Sequence, residues 1–359
     1  MDLALFAMRD HMESVSMTES NESAEAGGDT GLEVARRVVD RLRARLRAAI
    51  RGRDETIDLV LTAMLADGHV LLEDFPGSGK TTLARALGES VREDSGIEGI
   101  APFRRIQFTP DLLPSDITGT NVFDVETNGF TFRRGPIFAH VVLADEINRT
   151  SPKVQAAMLE AMGEKQVTAD DTTHALDDLF FVIATQNPLD LAGTYPLPTP
   201  QLDRFLFKLV MRHIAPEAEL EVLDQYPTPS LVRAAELPGV SRSEVIKARR
   251  AIRHDVRIDP LFKQALVDLA NALRSDERVL QGASTRSLVL SLPALQARAV
   301  IEGRDYVSPD DLEALAPHIF EHRIECAAGI DDAAAVVRDC ARGPIEALAQ
   351  VSLKKSSTK

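Results

Sequence analysis

The chain has 359 residues and a formal net charge of −14, from 55 acidic and 41 basic residues. This balance argues against a dedicated duplex-DNA binder, which normally carries a basic stripe. No apolar stretch approaches the roughly 18 residues of a membrane span, and the N-terminus lacks the basic and apolar regions of a signal peptide. The two cysteines exclude a disulfide framework, and we therefore expect a cytoplasmic protein.

The first segment, residues 1–30, is strongly acidic. It contains seven acidic residues, one basic residue and the pair Gly27-Gly28. A segment of this composition cannot bury enough apolar surface to offset the entropy lost on ordering. We predict that it is disordered, with a docking segment as the alternative.

From residue 55 to 211, apolar, strand-like runs alternate with helical stretches. The five runs are 69–72, 105–108, 140–144, 179–184 and 206–210. Apolar strands interleaved with helices predict an α/β fold, with a parallel sheet covered on both faces. In such a sheet ligands bind at the carboxyl ends of the strands.

A glycine-rich turn joins the first run to a helix-like stretch. The turn and the start of the helix comprise Pro76, Gly77, Ser78, Gly79, Lys80, Thr81 and Thr82. Strand, glycine turn, Lys-Thr and helix form the layout of a P-loop, in which backbone N–H groups cradle phosphates. The lysine then reaches the terminal phosphates and the threonine hydroxyl holds Mg²⁺. The sequence therefore predicts a nucleotide-binding site.

Two hairpins are predicted between the strands of the sheet. Asn128-Gly129, flanked by alternating apolar residues, is a strong signal for a two-residue hairpin turn. The later loop 166–178 carries the acidic pairs Asp170-Asp171 and Asp177-Asp178. We interpret these acids as solvated loop residues.

The pair Asp145-Glu146 follows the third apolar run directly. An Asp at the end of a strand behind a P-loop is placed to hold Mg²⁺, and the adjacent Glu can polarise the attacking water. An acidic pair alone is common on surfaces. Its position after a strand in the P-loop domain favours a catalytic role.

Two further polar residues accompany the fourth and fifth runs. Asn187 follows the fourth run and can hydrogen-bond a γ-phosphate or orient water, although it also suits a turn before proline. Arg204 precedes the fifth run. An arginine aimed at a phosphoryl group stabilises the charge that builds during transfer, an effect of roughly 10³–10⁵ in rate.

After residue 215 the pattern becomes helical. Ser241 with Glu244 predicts a capping box, and Ser308-Pro309 predicts a helix start. We expect a smaller helical domain at 225–345, followed by a C-terminal tail at 346–359.

Taken together, these motifs resemble the MoxR family of AAA+ ATPases. The resemblance rests on the P-loop, on Arg286 in a Gly-Ala-Ser-Thr-Arg motif, and on the ordered stretches 105–116, 143–149 and 193–198. It covers about residues 40–345. It implies a sheet order of 5-1-4-3-2, a small all-α lid domain, and a helix-2 insert at about 116–136, and it makes 31–215 the nucleotide-binding domain.

The resemblance also implies roles for the candidate residues. ATP and Mg²⁺ would be the cofactors, with Thr81 and Asp145 at the metal. Lys80 would belong to the Walker A motif and Asp145 with Glu146 to the Walker B motif. Asn187 would be sensor 1, Arg204 the arginine finger for a neighbouring subunit, and Arg286 the sensor 2 arginine that contacts nucleotide.

The function that this resemblance implies is that of an ATP-hydrolysing, ring-forming chaperone or remodeller, expected as a homohexamer. Its client would be a protein with a von Willebrand factor A (VWA) domain, whose maturation or metal loading it would assist. Two alternatives stay open: a magnesium-chelatase-like motor subunit, and a nucleotide-gated scaffold without turnover. No nucleic-acid-binding module is visible, and we expect no stimulation by DNA.

Overall fold

The chain alternates strands with helices as far as residue 215 and is mainly helical beyond it. The computed structural model describes residues 30–74, 77–94, 96, 99–126, 128–169, 172–187, 193–224 and 230–356. The strands are β1 (Val70–Asp74), β2 (Val91–Arg92), β3 (Ala101–Gln107), β4 (Gly119–Asp124), β5 (Gly129–Arg134), β6 (Ala139–Asp145), β7 (Gln166–Ala169), β8 (Thr172–Ala175), β9 (Phe181–Gln186), β10 (Phe207–Met211), β11 (Val240–Ser241), β12 (Val279–Gln281) and β13 (Glu325–Cys326).

The helices begin before the first strand and dominate the last third of the chain. They are α1 (Gly31–Ala49), α2 (Asp54–Leu65), α3 (Lys80–Glu89), α4 (Pro114–Thr118), α5 (Pro152–Glu164), α6 (Thr199–Leu202), α7 (Pro216–Asp224), α8 (Ser230–Glu236), α9 (Arg242–Asp255), α10 (Pro260–Ser275), α11 (Thr285–Ile301), α12 (Pro309–Phe320) and α13 (Ala333–Ser356). A short 3₁₀ turn spans Ile147–Arg149.

Five of the strands form one parallel sheet in the order β10-β1-β9-β6-β3. These strands correspond to the fifth, first, fourth, third and second apolar runs, and the predicted order 5-1-4-3-2 is confirmed. Strand β6 is buried along its whole length, as expected of a strand covered on both faces. The carboxyl ends of β1, β6 and β9 therefore meet at one edge of the sheet.

Alternate residues of the central strands β1, β9 and β6 enter two different hydrophobic cores. Val141 and Leu143 belong to the core that contains helices α1, α2 and α3. Val142 and Ala144 belong to the core on the opposite face, which includes helix α5. Because side chains alternate along a strand, the sheet separates the two cores and holds the polar ends of its strands between them.

Both predicted hairpins are present, but the first turn differs from the prediction. Strands β4 and β5 are antiparallel and pair Asp124 with Gly129, so the loop has four residues rather than two. Asn128 ends that loop with a φ of 49°, a left-handed conformation that asparagine tolerates. In the second hairpin β7 pairs with β8, and Asp170-Asp171 lie outside the described residues.

The second half of the chain is helical, with small strands that the all-α prediction omitted. Strand β12 pairs antiparallel with β13, and β11 pairs parallel with β2. The capping box of Ser241 and Glu244 is formed at the start of α9. Helix α13 continues to Ser356, into the predicted tail 346–359.

Helices from the two halves of the chain share one core. Helix α9 packs against α1, and buried residues of both helices belong to the same hydrophobic cluster. The acidic segment at the N-terminus, residues 1–30, lies outside the described residues except for Thr30. Among the helices that the structure describes, none has the length and apolar character to cross a membrane.

Candidate nucleotide site

The glycine-rich turn carries the chain from β1 into helix α3, which begins at Lys80. Gly77 and Gly79 have φ values of 90° and 93°, a region that favours glycine. A Cβ atom on Gly79 would also come within 2.9 Å of Ile50 Cδ1. The sequence therefore needs glycine at this turn. Pro76 lies outside the described residues.

Lys80, Thr81 and Thr82 form the first turn of α3. The first N–H groups of a helix have no partner within the helix, and the helix dipole favours an anion beside them. A ten-residue helix that starts with a lysine after a glycine turn is therefore suited to phosphate. This arrangement agrees with the predicted P-loop.

Asp145 ends strand β6, and its side chain is only 5% exposed. One carboxylate oxygen, Oδ1, accepts a 2.7 Å hydrogen bond from the hydroxyl of Thr185. The other oxygen, Oδ2, accepts hydrogen bonds of 3.1 and 2.5 Å from Nε and Nη2 of Arg105. Both oxygens of the predicted metal-holding carboxylate thus have partners from neighbouring strands.

Glu146 has a left-handed backbone, with φ 59° and ψ 48°. Its backbone N–H donates to the hydroxyl of Thr185 at 2.9 Å. Its Oε2 atom accepts from Nε2 of Gln107 at 2.8 Å and lies 3.4 Å from Nε of Arg149. A left-handed non-glycine residue is strained and typical of functional sites.

Arg105 and Gln107, both on β3, were not assigned a role from the sequence. Nη2 of Arg105 donates to Oε1 of Gln107 at 2.7 Å, so the two side chains form one network with the Asp145-Glu146 pair. The register that pairs Gln107 with Asp145 creates this network. The only local signal in the sequence is that β3 carries polar side chains, Arg104, Arg105 and Gln107, among its apolar ones.

The donor set at this edge of the sheet fits Mg²⁺. Thr81 offers a hydroxyl at the start of α3, and Asp145 offers a carboxylate at the end of β6. Oxygen ligands of this kind are those that Mg²⁺ takes beside phosphate. Bound there, the ion would neutralise the charge that develops on a transferred phosphoryl group.

Asn187 follows strand β9, which lies between β1 and β6. The residue before it, Gln186, donates a 2.6 Å hydrogen bond to Oε1 of Glu73. The other oxygen of Glu73 lies 3.0 Å from Nζ of Lys208. These contacts join β9, β1 and β10 near the carboxyl end of β1, where the glycine-rich turn begins.

Arg204 lies at the opposite edge of the sheet from its own P-loop. Strand β10 runs parallel to β1 and pairs Phe207 with Val70 at the amino end and Met211 with Asp74 at the carboxyl end. Arg204 precedes this strand, whereas the P-loop follows β1, which is about 13 Å long at 3.3 Å per residue. The Nη1 atom of Arg204 donates to the carbonyl of Leu159 at 2.8 Å.

Arg286 lies beside Arg204 rather than beside the P-loop of its own chain. Its Nε atom is 3.8 Å from Oδ2 of Asp203, and its side chain is 57% exposed. The other oxygen of Asp203 accepts a 2.7 Å hydrogen bond from Nε of the buried Arg323. Asp203, the residue before Arg204, therefore contacts both Arg286 and Arg323.

A cavity of about 480 Å³ adjoins the glycine-rich turn. Its lining includes Arg53 and Arg212. An Nη2 atom of Arg53 is 3.5 Å from the carbonyl of Ser78 in the turn. The cavity thus lies at the carboxyl end of β10, and Arg53 connects its lining to the glycine-rich turn.

A second polar cluster lies away from this site and corrects one prediction. Asp177, interpreted as a solvated loop acid, is buried and accepts two hydrogen bonds from Nε of Arg242. His140 Nε2 lies 2.7 Å from Glu93 and 3.9 Å from Asp177. The backbone N–H of Leu179 also donates to Asp177. Asp177 is therefore held by donors from α9 and from the backbone, which explains its burial.

Comparisons with known proteins agree with this geometry. Residues 69–207 match the model of the AAA family, "ATPase family associated with various cellular activities", and residues 271–340 match the AAA lid domain. Chaperone MoxR1 of Mycobacterium tuberculosis is 34% identical, over 84% of this chain and 79% of its own length. The Bacillus subtilis protein YeaC, named only as uncharacterized, is 47% identical over 76% and 82%.

A solved structure gives the same result. The candidate ATPase from Cytophaga hutchinsonii superposes with a TM-score of 0.77 and 34% identity, over 87% of this chain and 96% of that one. The AAA module, the lid and the curated MoxR relatives together identify the family. The chain belongs to the MoxR family of AAA+ ATPases.

Proposed function

We propose that the protein binds ATP with Mg²⁺ at the P-loop and hydrolyses it. One observation carries this proposal: Lys80 and Thr81 start a helix at the same sheet edge that carries Asp145 and Glu146. Phosphate binding, metal binding and water activation are then available within one site. The cavity beside Arg53 would receive the base and ribose.

In this proposal Glu146 is the group that polarises the attacking water, and Asp145 with Thr81 holds the metal. Asn187, at the end of β9, contacts the γ-phosphate or the water. Each role belongs to an oxygen or amide atom at the carboxyl edge of the sheet, where ligands of open α/β sheets bind.

The positions of Arg204 and Arg286 support a ring. Both side chains lie beyond the amino end of β10, so neither is placed to reach the nucleotide of its own subunit. A head-to-tail ring presents this edge to the P-loop of the next subunit. We infer that both arginines act on the neighbour's triphosphate in a homohexamer.

The proposed client is a protein with a VWA domain, whose maturation or metal loading the ATPase assists. Support comes from family membership and from the chaperone name of the Mycobacterium tuberculosis relative. In the cell, ATP turnover in the ring would drive movements of the β4–β5 hairpin and the lid against the client.

Replacement of Glu146 by Gln tests the central proposal. The variant keeps the size of the side chain but cannot accept a proton, so we expect ATP binding to persist while phosphate release falls by roughly 10²-fold or more. The control is Glu126→Gln, a change at an exposed acid of the β4–β5 loop. Hydrolysis by Glu146→Gln at the wild-type rate would show that the catalytic assignment is wrong.

The same variant tests the assembly and the client. Light scattering in the presence of ATP should show a ring-sized oligomer for Glu146→Gln, because the bound triphosphate is not consumed. A VWA-domain protein should copurify with it in ATP and be absent in ADP. A wild-type chain that binds ATP and assembles without phosphate release would instead be a nucleotide-gated scaffold.

A further inference from the structure

We propose that Arg105 is the resident counter-ion of Asp145 and that Mg²⁺, arriving with the nucleotide, must displace it. The inference rests on the proposed function, because it assigns Asp145 to the metal. It makes Arg105 a residue that sets how much Mg²⁺ the protein needs in order to bind nucleotide.

The first step is the charge on Asp145. Its side chain is 5% exposed, and a buried carboxylate is costly unless a cation or several donors satisfy it. Arg105 is the cation in contact, with two N–H groups on Oδ2. The other hydrogen-bond donor to this carboxylate, the hydroxyl of Thr185 on Oδ1, is neutral.

The second step is the number of acceptor positions. A carboxylate offers about four lone-pair sites, two on each oxygen. Arg105 uses both sites on Oδ2, and Thr185 uses one on Oδ1. One site on Oδ1 is left by this count, so a hydrated Mg²⁺ ion that contacts both carboxylate oxygens competes with Arg105 for Oδ2.

The third step is electrostatic. Like charges a few ångströms apart repel strongly where solvent is limited, so the guanidinium and the ion cannot share one carboxylate at low cost. Thr185 is fully buried between strands, whereas Arg105 lies on the edge strand β3 with its side chain 47% exposed. Arg105 is thus the partner that can leave.

The departure of Arg105 has a consequence for the neighbouring acid. Its Nη2 atom also donates to Gln107, and Gln107 donates to Glu146. When Arg105 turns away, Gln107 loses one of its partners. Arrival of the metal is thereby communicated to Glu146 through two side chains of β3.

The test is a Mg²⁺ titration of nucleotide binding on the full chain. A fluorescent N-methylanthraniloyl ADP is held at fixed concentration, and the Mg²⁺ concentration that gives half of the metal-dependent signal is measured. For Arg105→Gln, we expect this midpoint to fall by roughly tenfold, the factor for one hydrogen bond to a charged group. Binding without Mg²⁺ should change by less than about twofold, because β3 lies three strands from β1.

Two variants serve as controls. Arg105→Lys keeps the positive charge, so its midpoint should stay within about threefold of the wild type. Arg104→Gln removes the same charge from the adjacent exposed residue of β3, whose side chain points to the other face of the sheet. Its midpoint should be unchanged.

The outcomes separate this inference from the proposed function. If the wild-type chain binds no nucleotide with or without Mg²⁺, the proposed function fails. If it binds in a Mg²⁺-dependent manner and Arg105→Gln has an unchanged or higher midpoint, the counter-ion inference is overturned. Circular dichroism of each variant checks folding, and if Arg105→Gln does not fold, an unchanged midpoint in Arg105→Ala overturns the inference equally.

Discussion

Nε2 of Gln107 donates a 2.8 Å hydrogen bond to Oε2 of Glu146. Strand β3, which carries Gln107, lies on the side of β6 that faces away from β9 and β1. The carboxylate of Glu146 is therefore directed away from the phosphate-binding turn. In the proposed mechanism, this hydrogen bond must break before Glu146 can polarise water at a γ-phosphate.

Replacement of Gln107 by Ala should consequently raise basal hydrolysis. The variant removes the bond that holds Glu146 away, and we expect the basal rate of phosphate release to increase by roughly fivefold, within the range for a hydrogen bond to a charged group. Steady-state phosphate release at saturating ATP measures this. A rate below that of the wild type would mean that Gln107 orients Glu146 productively.

Subunit mixing tests whether Arg204 acts on a neighbour. Lys80→Ala should abolish nucleotide binding and Arg204→Ala should abolish hydrolysis, so each variant alone is inactive. In an equal mixture about a quarter of the interfaces combine an intact P-loop with an intact arginine, since each ring interface joins two different surfaces. Activity near a quarter of the wild type is expected, and none would be regained if Arg204 acted within its own subunit.

Replacement of Asp203 tests how much its pair with the buried Arg323 stabilises the fold. Its replacement by Ala leaves the guanidinium of Arg323, whose side chain is 1% exposed, without its carboxylate partner. Loss of one partner from a buried pair should lower the free energy of unfolding by about 2–4 kcal/mol. Urea denaturation measures this, and Asp305→Ala, at the exposed pair with Arg257, should change it by less than about 0.5 kcal/mol. If Asp203→Ala leaves the free energy of unfolding unchanged, the pair of Asp203 with Arg323 does not stabilise the fold.

Glu321 should make stability depend on pH. Burial raises its pKa to about 7, from 4.5, while Lys208 opposes the shift and Glu73, Asp332 and Arg338 also act on it. The folded state then holds this proton more tightly than the unfolded state, so stability falls as pH rises from about 4.5 to about 7. The variant Glu321→Gln cannot ionise at this position, so its stability should not fall over this pH range for that reason.

The free energy of unfolding of Glu321→Gln should therefore exceed that of the wild type by about 1 kcal/mol at pH 8, after allowance for partial exposure. Near pH 4.5 the two proteins should be equally stable. Urea denaturation at several pH values measures both curves. Parallel curves would show that Glu321 titrates alike in the folded and unfolded chain.

The sheet could be predicted from the sequence because most of its strands are apolar runs, of which β6 is buried along its whole length. The order of the strands came from the family resemblance and not from the runs themselves. Lys80, Thr81 and the Asp145-Glu146 pair could be located because they adjoin such runs. Asn187 and Arg204 could be located for the same reason, because each lies next to an apolar run.

The contacts around the acidic pair could not be predicted from the sequence. Arg105 and Gln107 meet Asp145 and Glu146 only through the register of β3 with β6, and pairing between strands separated by more than thirty residues leaves no local pattern. The burial of Asp177 depends on Arg242 in α9, again a distant residue. The turn at Asn128 was misjudged because a four-residue loop can carry the same Asn-Gly signal.

The contact between α1 and α9 has a practical consequence for anyone preparing fragments. A fragment that stops at residue 215 would lose α9, which packs against α1, and would uncover part of the apolar stripe of α1 that is buried in the intact chain. An apolar stripe of that kind invites aggregation. The catalytic half should therefore be produced together with the helices that follow it.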